Sequence, residues 1–345
     1  MKKTKTVFLV LFVVLMISMV LANSFGSAKI KLDDILYIIY NGVLDNESAL
    51  PEAYLPINDI IWLLRLPRII LAACIGCGLA VCGVVMQAIV KNPLADPYIL
   101  GISSGASLGA TAAILLGIGV ALGENFVGIA AFIGAFFVSL LVVFIANLGG
   151  RASSTKLILS GMALSAVCSA FASFIVYFAN NAEGMQNITY WLMGSLAGAK
   201  WELLEIIVPI SVLSTLFFYT QSRILNLLLL GDEAAITLGK DLHIYRQCYL
   251  LVSAIVVGFA VYAAGMIGFI GLIIPHAVRI LVGSDHKVLV PVSGLSGAIF
   301  LIWADVLCRV IIPRTELPIG ILISLIGAPC FVYLMIKKTY GFGGN

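Results

Sequence analysis

The stretch LPRIILAACIGCGLAVCGVVMQAIV, residues 66–90, contains a single charged residue, Arg68, and is otherwise almost entirely apolar. A membrane-spanning helix needs about 20 predominantly apolar residues, so this stretch is long enough to cross a bilayer. The rest of the chain has the same character, with 61% hydrophobic residues, 11% charged residues and a mean hydropathy of +1.12. Soluble domains carry about 25% charged residues, so the composition indicates an integral membrane protein.

Further apolar segments flank this stretch on both sides and predict about ten transmembrane helices. The segments are 7–27, 66–90, 99–119, 126–147, 157–179, 203–221, 247–265, 267–282, 288–308 and 318–336, of which 267–282 is the shortest. The breaks between them are short and show no internal repeat, so residues 1–345 are predicted to form a single transmembrane domain. Because the segments are continuously apolar rather than alternating, the fold class is all-α and a membrane β-barrel is excluded.

The first segment has two interpretations. Residues 1–22 combine a basic start, an apolar stretch and a potential cleavage site at Val20-Leu21-Ala22, which suits either a first span or a cleaved signal peptide. Both place residue 23 outside. An alternating topology with the N-terminus inside puts thirteen of the 20 Lys and Arg residues inside and seven outside. This asymmetry follows the positive-inside rule and predicts that both termini and residues 231–239 are cytoplasmic.

The seven Cys and three His residues form no recognisable catalytic or metal-binding pattern. Cys74 and Cys77 make a C-x-x-C pair, but it lies within an apolar span and is interpreted as part of the core. The sequence contains no nucleophile–base motif and no phosphate-binding loop, since Gly239-Lys240 departs from that loop on both sides. We therefore expect no catalytic residue and no metal site, and any ATP must be bound by another chain.

Residues 231–239 interrupt the apolar sequence with a short polar helix. Asp232 and Glu233 lie at its predicted start, where the helix dipole favours acids, and Gly239 provides a stop. Ala234, Ala235, Ile236 and Leu238 give it a small apolar surface. The pattern suits a helix that docks onto a partner, and it also suits an amphipathic loop helix that lies on the bilayer surface.

The same residues, Glu233-Ala234-Ala235-x-x-x-Gly239, resemble the E-A-A-x-x-x-G coupling motif of bacterial ABC importer permeases. Longer matches are RLPRIILAACIGCGLAVCGVVMQAIVKNPLADPYILGISSGASLGA (65–110), GFIGLIIPHAVRILVGSDHKVLVP (268–291) and ADVLCRVIIPRTELPIGILISLIGAPCFVYLM (304–335). Together they resemble the FecCD family, the permeases of type II ABC importers for ferric siderophores, haem and cobalamin. The resemblance covers about residues 60–335, in order.

The resemblance implies the type II importer permease fold and a multi-pass location in a bacterial cytoplasmic membrane. It implies three kinds of protein partner: a second permease subunit, identical or related, two ATP-binding subunits, and an extracytoplasmic substrate-binding protein. It implies no nucleic acid partner, and membrane lipid surrounds the bundle. ATP and magnesium would be bound by the ATP-binding subunits, so the chain itself is expected to need no cofactor and to have no enzymatic activity.

Family membership also implies roles for particular residues. Contact with the ATP-binding subunit falls to Gly231, Asp232, Glu233, Ala234, Ala235, Ile236, Leu238 and Gly239. Docking of the binding protein falls to Arg65, Arg68 and Arg309, of which Arg65 and Arg68 are spaced to project from one helical face. The alternatives are anchoring at the membrane interface beside Trp62 and, for Arg309, an intrahelical pair with Asp305.

The resemblance also implies that two short segments, Asn92-Pro93-Leu94 and Ser153-Ser154-Thr155, lie near a cytoplasmic gate. Small polar residues suit a gate because they can pack closely without burying an unpaired charge. After the first of these segments, Gly101, Gly105 and Gly109 occur at four-residue spacing. This pattern is most simply explained by tight helix packing.

The predicted function is that of the permease subunit of an ATP-driven ABC importer, which translocates an iron-siderophore-type chelate by alternating access. A cobalamin or haem importer permease is the alternative within the family. A non-transporting membrane scaffold is the alternative from another class, and an intramembrane enzyme, which would require paired acids or a metal constellation facing one cavity, comes third. The spans carry few ionisable groups, which disfavours a secondary transporter or a channel.

Overall fold

The computed structural model describes residues 2–337 apart from 27, 45–50, 124, 149 and 151. Arg151 and Lys338, two of the basic residues that the sequence assigns to the inside, lie outside the described residues. Every regular element within the described ranges is helical.

The first half of the chain forms α1 (Lys2–Leu21), α2 (Leu32–Val43), α3 (Leu55–Asp59), α4 (Leu66–Val90), α5 (Ile102–Leu116), α6 (Phe126–Asn147) and α7 (Ser154–Ala179). The second half forms α8 (Ala182–Met193), α9 (Trp201–Thr220), α10 (Ser222–Leu230), α11 (Asp232–Thr237), α12 (Leu242–Ala264), α13 (Ile270–Val282), α14 (His286–Val310) and α15 (Ile319–Lys337). A π-helical segment, Ile60–Arg65, joins α3 to α4.

Each of the ten predicted spans corresponds to a helix, and the all-α fold class is confirmed. Within the described residues, seven helical segments are long and apolar enough to cross a membrane, whereas α5, α13 and α15 contain shorter apolar helices. The predicted spans 99–119 and 267–282 begin too early, since α5 starts at Ile102 and α13 starts at Ile270. A short 3-10 turn, Pro97–Leu100, precedes α5, and Phe269 adopts a φ of +65° immediately before α13.

Helix α4, which is formed by the apolar stretch 66–90, lies at the centre of the bundle. It packs against α9, α12, α13 and α14, and most of its side chains are buried. Glycines permit these close contacts, because a Cβ at Gly83 would lie 1.8 Å from the carbonyl oxygen of Gly271 on α13. A Cβ at Gly76 would lie 2.2 Å from the carbonyl oxygen of Gly297 on α14. Membrane helices use small residues in this way because their backbones can then approach closely.

Helices α5 and α6 pack through the glycine series noted in the sequence. A Cβ at Gly105 would lie 2.5 Å from the Gly134 carbonyl oxygen, and one at Gly109 would lie 2.2 Å from that of Ala130. These glycines therefore serve helix packing. Helix α7 packs against the same pair but leaves large apolar side chains exposed along its length, including Met162, Phe171 and Phe174.

Four helices, α2, α3, α8 and α10, correspond to none of the segments predicted from the sequence. The apolar side chains of α2 include Ile35 and Ile38, which are buried with Ile61 in a small separate cluster, and Gly42 lies against the ring of Trp62. These helices are too short to be recognised as membrane spans, since a span needs about 20 apolar residues.

Two ends of the bundle can now be named. The end where α4 finishes carries residues 231–239, and we call it the EAA end; the Nζ of Lys91 lies beside Gly231 there. The end where α4 starts carries Arg65, Arg68 and Arg309, and we call it the arginine end.

Candidate functional site

At the EAA end, residues 231–239 form the short helix that the sequence predicts. Gly231 precedes it with a φ of +104°, and Asp232 and Glu233 occupy its first turn. Gly239 ends it in the left-handed region with a φ of +72°. The amides of Gly239 and Lys240 donate to the carbonyl oxygens of Ile236 and Ala235, each over 2.9 Å, which satisfies the last carbonyls of the helix.

The apolar side chains of α11 face in two directions. Ala235 is only 1% exposed and packs into the chain's own core, whereas Ile236 and Leu238 are 58% and 63% exposed. A six-residue helix is unstable alone, so the inward Ala235 helps hold α11 on the bundle. The exposed apolar surface of α11 is therefore formed by Ile236 and Leu238, with Glu233 exposed nearby in sequence.

Arg246 on α12 connects this helix to the start of α7. Its Nη2 donates to Asp232 Oδ1 over 2.8 Å, and its Nη1 donates to the carbonyl oxygen of Ala152 over 3.1 Å. The guanidinium group is buried, whereas the Asp232 side chain is half exposed. The sequence analysis counted Arg246 only as an inside positive charge, because nothing in the sequence relates it to Ala152, 94 residues away.

The two segments predicted as a gate are brought together at the same end. Asn92 folds the first into a turn, with its Oδ1 accepting the amide of Leu94 over 2.9 Å. Ser153 caps α7 by accepting the amide of Lys156, and Ser154 Oγ donates to the carbonyl oxygen of Ile89 over 3.1 Å. The start of α7 is thus bonded directly to the last turn of α4.

A second connection runs from α10, which precedes α11, to the start of α14. Asn226 Nδ2 donates to Asp285 Oδ1 over 2.9 Å, and Asn226 Oδ1 accepts the amide of His286 over 3.0 Å. The hydrogen bonds from Asn226 and from the Lys287 amide hold the pKa of Asp285 below its ordinary value. The residues around α11 are consequently fixed to both α12 and α14.

At the arginine end, Arg68 is buried and paired with two carboxylates. Its Nε and Nη2 lie 2.9 and 2.8 Å from Asp305 Oδ1, and its Nη1 lies 2.8 Å from Glu316 Oε2. Arg309 Nε lies 3.1 Å from Asp305 Oδ2, so the intrahelical pair allowed by the sequence spacing is present. Asp305 is almost completely buried and serves both arginines.

Arg65 is also buried but binds backbone rather than carboxylates, because its guanidinium donates to the carbonyl oxygens of Asn23 and Ala28. Arg65 and Arg68, which the sequence spacing predicts on one helical face, bind different internal partners. Arg65 ends the π-helical segment and Arg68 lies in the first turn of α4, and the two side chains turn to different internal partners.

The three arginines nevertheless line one open cavity of about 770 Å³ at this end of the bundle. Its rim also carries Lys29 and Arg314, both of which are exposed. Among the described residues, five basic side chains therefore line the cavity, against the one acidic residue Glu316.

Metal-ligating residues do not cluster in the part of the chain that the structure describes, where no group of three His, Cys, Asp or Glu could hold an ion. Cys74 and Cys77 are free thiols.

An all-helical membrane bundle with an E-A-A helix at one end and a basic cavity at the other defines the class of the protein as the membrane-spanning subunit of an ABC importer. The model of the FecCD transport family matches residues 13–337. The chain belongs to this family, which makes it a multi-pass membrane protein and a transport component.

Relatives of known name are similar over about four fifths of the chain. The cobalamin import system permease protein BtuC of Halobacterium salinarum is 44% identical over 276 residues, 80% of this chain and 73% of its own length. The hemin transport system permease protein HmuU of Yersinia pestis is 41% identical over 293 residues, 81% of this chain and 85% of its own. The vitamin B12 import system permease protein BtuC of Salmonella typhi is 39% identical over 282 residues, 81% and 84% respectively.

Solved structures agree with this assignment. A proposed metal-chelate type ABC transporter in an inward-facing conformation superposes with a TM-score of 0.81 at 33% identity, covering 97% of this chain and 100% of its own. PsaBC from Streptococcus pneumoniae in complex with Fab gives a TM-score of 0.54 at 17% identity, covering 82% and 98%, and shows likeness of fold alone.

Proposed function

We propose that this permease works as half of a dimer that imports a metal chelate, driven by two separate ATP-binding subunits that hold the EAA end. The observation that carries the proposal is the division of α11 between an anchored side and an exposed side. Ala235 is buried in the chain's own core, whereas Ile236 and Leu238 are left exposed on a short helix. Exposed apolar side chains on a rigid support are suited to fill a pocket in a partner.

The remaining residues of 231–239 support the same assignment. Asp232 is tied to Arg246, Gly231 and Gly239 set the bounds of the helix, and Glu233 is free to meet a basic partner residue at its exposed position. The excess of basic residues inside assigns this end to the cytoplasm, where ATP is available. ATP and magnesium belong to the partner, and this chain contributes the binding surface.

A second permease copy, identical or related, would cover α7. This helix spans 26 residues and packs on one side against α5 and α6, with Met162, Phe171 and Phe174 exposed on its surface. Its first turn carries Ser153-Ser154-Thr155, which we assign to the gate together with Asn92-Pro93-Leu94. The translocation path would then lie between the two copies, beside α7, and its cytoplasmic exit would lie beside both gate segments.

The arginine end would receive the substrate-binding protein on the opposite side of the membrane. Its five basic lining residues form a positive cavity that complements carboxylates. Arg65, Arg68 and Arg309 shape the floor and are held by internal partners, while Lys29 and Arg314 stand exposed on the rim. Alternating access follows when the ATP-binding subunits move the EAA end, so that the cytoplasmic gate and a gate on the outer side open in turn.

The substrate we propose is a chelated metal of the ferric siderophore type. Among the described residues, the buried arginines Arg65, Arg68 and Arg246 and the buried Asp305 all have hydrogen-bond or ion-pair partners within the chain. This favours a chelated metal over a bare ion, which would need its own charged ligands. Cobalamin and haem are the second candidates, because relatives with 44% and 41% identity are named for cobalamin import and hemin transport.

Reconstitution tests this function. The permease, together with its ATP-binding subunit and its substrate-binding protein, would be placed in liposomes and supplied in turn with a ferric siderophore, haem and cobalamin. We expect uptake of one class only, and only when ATP and both partner proteins are present. Uptake by the permease alone would contradict the proposal, and the class taken up decides among the three substrates.

Docking gives a prediction of its own. Changing Lys29 and Arg314 together to Glu reverses two exposed rim charges without touching the buried ion pairs. We expect capture of the binding protein to weaken and to become less sensitive to salt, because rim charges act mainly through long-range attraction. The measurement is a binding titration at low and high salt. Lys200→Glu, an exposed charge that is not among the residues lining the cavity, is the matched control; unchanged capture by the double variant would argue against docking here.

A further inference from the structure

Arg246 occupies an unusual position between two elements that the proposed function treats separately. It projects from the second turn of α12, and its side chain is 4% exposed. One arm of its guanidinium holds Asp232, the first residue of α11, and the other holds the carbonyl oxygen of Ala152. A single buried cation therefore bonds the helix that faces the ATP-binding subunit and the residue immediately before the gate segment 153–155.

The connection continues beyond Ala152 towards the other gate segment. Ala152 is itself buried, and its amide donates to Asn147 Oδ1 at the end of α6 over 3.3 Å. Two residues later, Ser154 Oγ donates to the carbonyl oxygen of Ile89, three residues before the Asn92 turn. A continuous series of hydrogen bonds and short backbone segments thus runs from α11 through Arg246 to both segments of the gate.

The energetics of this arrangement favour joint movement. Arginine keeps its charge under all ordinary conditions, and a buried charge that loses its partner is costly. If α11 moved away from Arg246, the buried guanidinium would lose the carboxylate that neutralises it. Movement of the guanidinium with Asp232 keeps the ion pair but pulls on the bond to Ala152. Both bonds have a charged donor, but only the bond to Asp232 joins two opposite charges, so the ion pair with Asp232 is the stronger attraction and the one we expect to persist.

We propose that Arg246 is a positioning residue for transport, which transmits displacement of α11 to the gate segment that begins after Ala152. The proposal rests on the proposed function, since it assumes that α11 is the element moved by the ATP-binding subunits. It adds a residue outside the E-A-A motif whose role is to join the motor contact to the gate. Arg246 touches neither the ATP-binding subunit nor the substrate in this assignment.

The test measures substrate molecules transported per ATP hydrolysed in the complete reconstituted complex. Arg246→Gln should still assemble with the ATP-binding subunits and hydrolyse ATP, while the transport ratio falls by about tenfold. Arg246→Lys keeps the charge but lacks the two-armed fork, so we expect it to recover only part of the ratio. Arg223→Gln is the matched control, because Arg223 is an exposed arginine on α10 at the same end of the bundle.

A second variant keeps the proposal testable if Arg246→Gln folds poorly. Asp232→Asn alters the half-exposed partner and leaves Arg246 in place, so its fold should be normal and its transport ratio should still fall. The double variant Asp232→Asn, Arg246→Gln should be no worse than the poorer single variant, because both residues act through one contact.

Two results would overturn the proposal: a normal transport ratio in both single variants, or a fall that matches the loss of assembled complex. Either would leave Arg246 as a purely structural residue. Absence of ATP-dependent uptake by the unaltered protein and by Arg223→Gln would instead contradict the proposed function, so the two failures are distinguishable.

Discussion

The double variant Ile236→Asp, Leu238→Asp is expected to lose ATP-dependent uptake almost completely while the membrane bundle remains folded. Both side chains are more than half exposed, so neither contributes much to the core of this chain. In a complex with the ATP-binding subunit, each would bring an unpaired carboxylate into an apolar contact. Truncating one interface hot spot costs about 2 kcal/mol or more, so two burials of charge should reduce subunit capture by about a thousandfold.

The measurement is co-purification of the ATP-binding subunit together with uptake in liposomes. Leu44→Asp is the matched control, because Leu44 is 57% exposed and follows α2 at the arginine end of the bundle. It should leave both capture and uptake unchanged. Normal capture by the double variant would contradict the assignment of α11 as the coupling helix.

Ala235 illustrates why the structure changes the design of this experiment. The E-A-A motif presents Glu233, Ala234 and Ala235 as equivalent members of one contact surface. In the structure Ala235 is buried against the chain's own core, so Ala235→Asp would dislodge α11 from the bundle. Loss of uptake in that variant would not report on the partner, whereas substitution of the exposed Ile236 and Leu238 does.

The membrane spans could be predicted from the sequence because the signal is local. In the bilayer, the backbone N–H and C=O groups of a run of about 20 apolar residues must be paired within the run's own helix. Each run therefore predicts one helix. The boundaries of α11 were also predictable, since acids at its start and Gly239 at its end act within a few residues. The starts of α5 and α13 were harder to predict from the sequence. A 3-10 turn precedes α5, and Phe269 before α13 takes a left-handed conformation that sequence patterns rarely signal.

The partners of the arginines could not be predicted in the same way. Arg68 pairs with Asp305, 237 residues away, and with Glu316, 248 residues away. Helical periodicity relates neighbours three and four residues apart, so it correctly allowed the pair of Asp305 with Arg309 and said nothing about Arg68. The π-helical segment that ends at Arg65 is likewise not signalled by the regular helical period of the sequence.

The largest expected effect on stability comes from Asp305→Ala. The Asp305 side chain is 1% exposed and accepts from Arg68 while also pairing with Arg309, so its removal leaves two guanidinium groups without their shared buried carboxylate. Removing one partner of a buried ion pair typically costs about 3–5 kcal/mol, since the remaining charge stays buried and uncompensated. We expect the variant to unfold at a markedly lower temperature.

Glu316→Ala is the matched control, because it removes the other carboxylate on the same Arg68 guanidinium. The Glu316 side chain is 50% exposed, so water can replace it, and exposed pairs contribute only about 0.2–1 kcal/mol. Unfolding in detergent can be followed with a thiol-reactive dye after the exposed Cys248 has been replaced by Ser, since Cys82 and Cys308 are buried free cysteines that become accessible when the bundle opens. Asp305 and Glu316 lie at equal distances of 2.8 Å from the Arg68 guanidinium, so the difference between the variants reports the burial of Asp305 together with its second pair with Arg309. Equal destabilisation by the two variants would show that burial of the Arg68–Asp305 pair does not control stability at this end of the bundle.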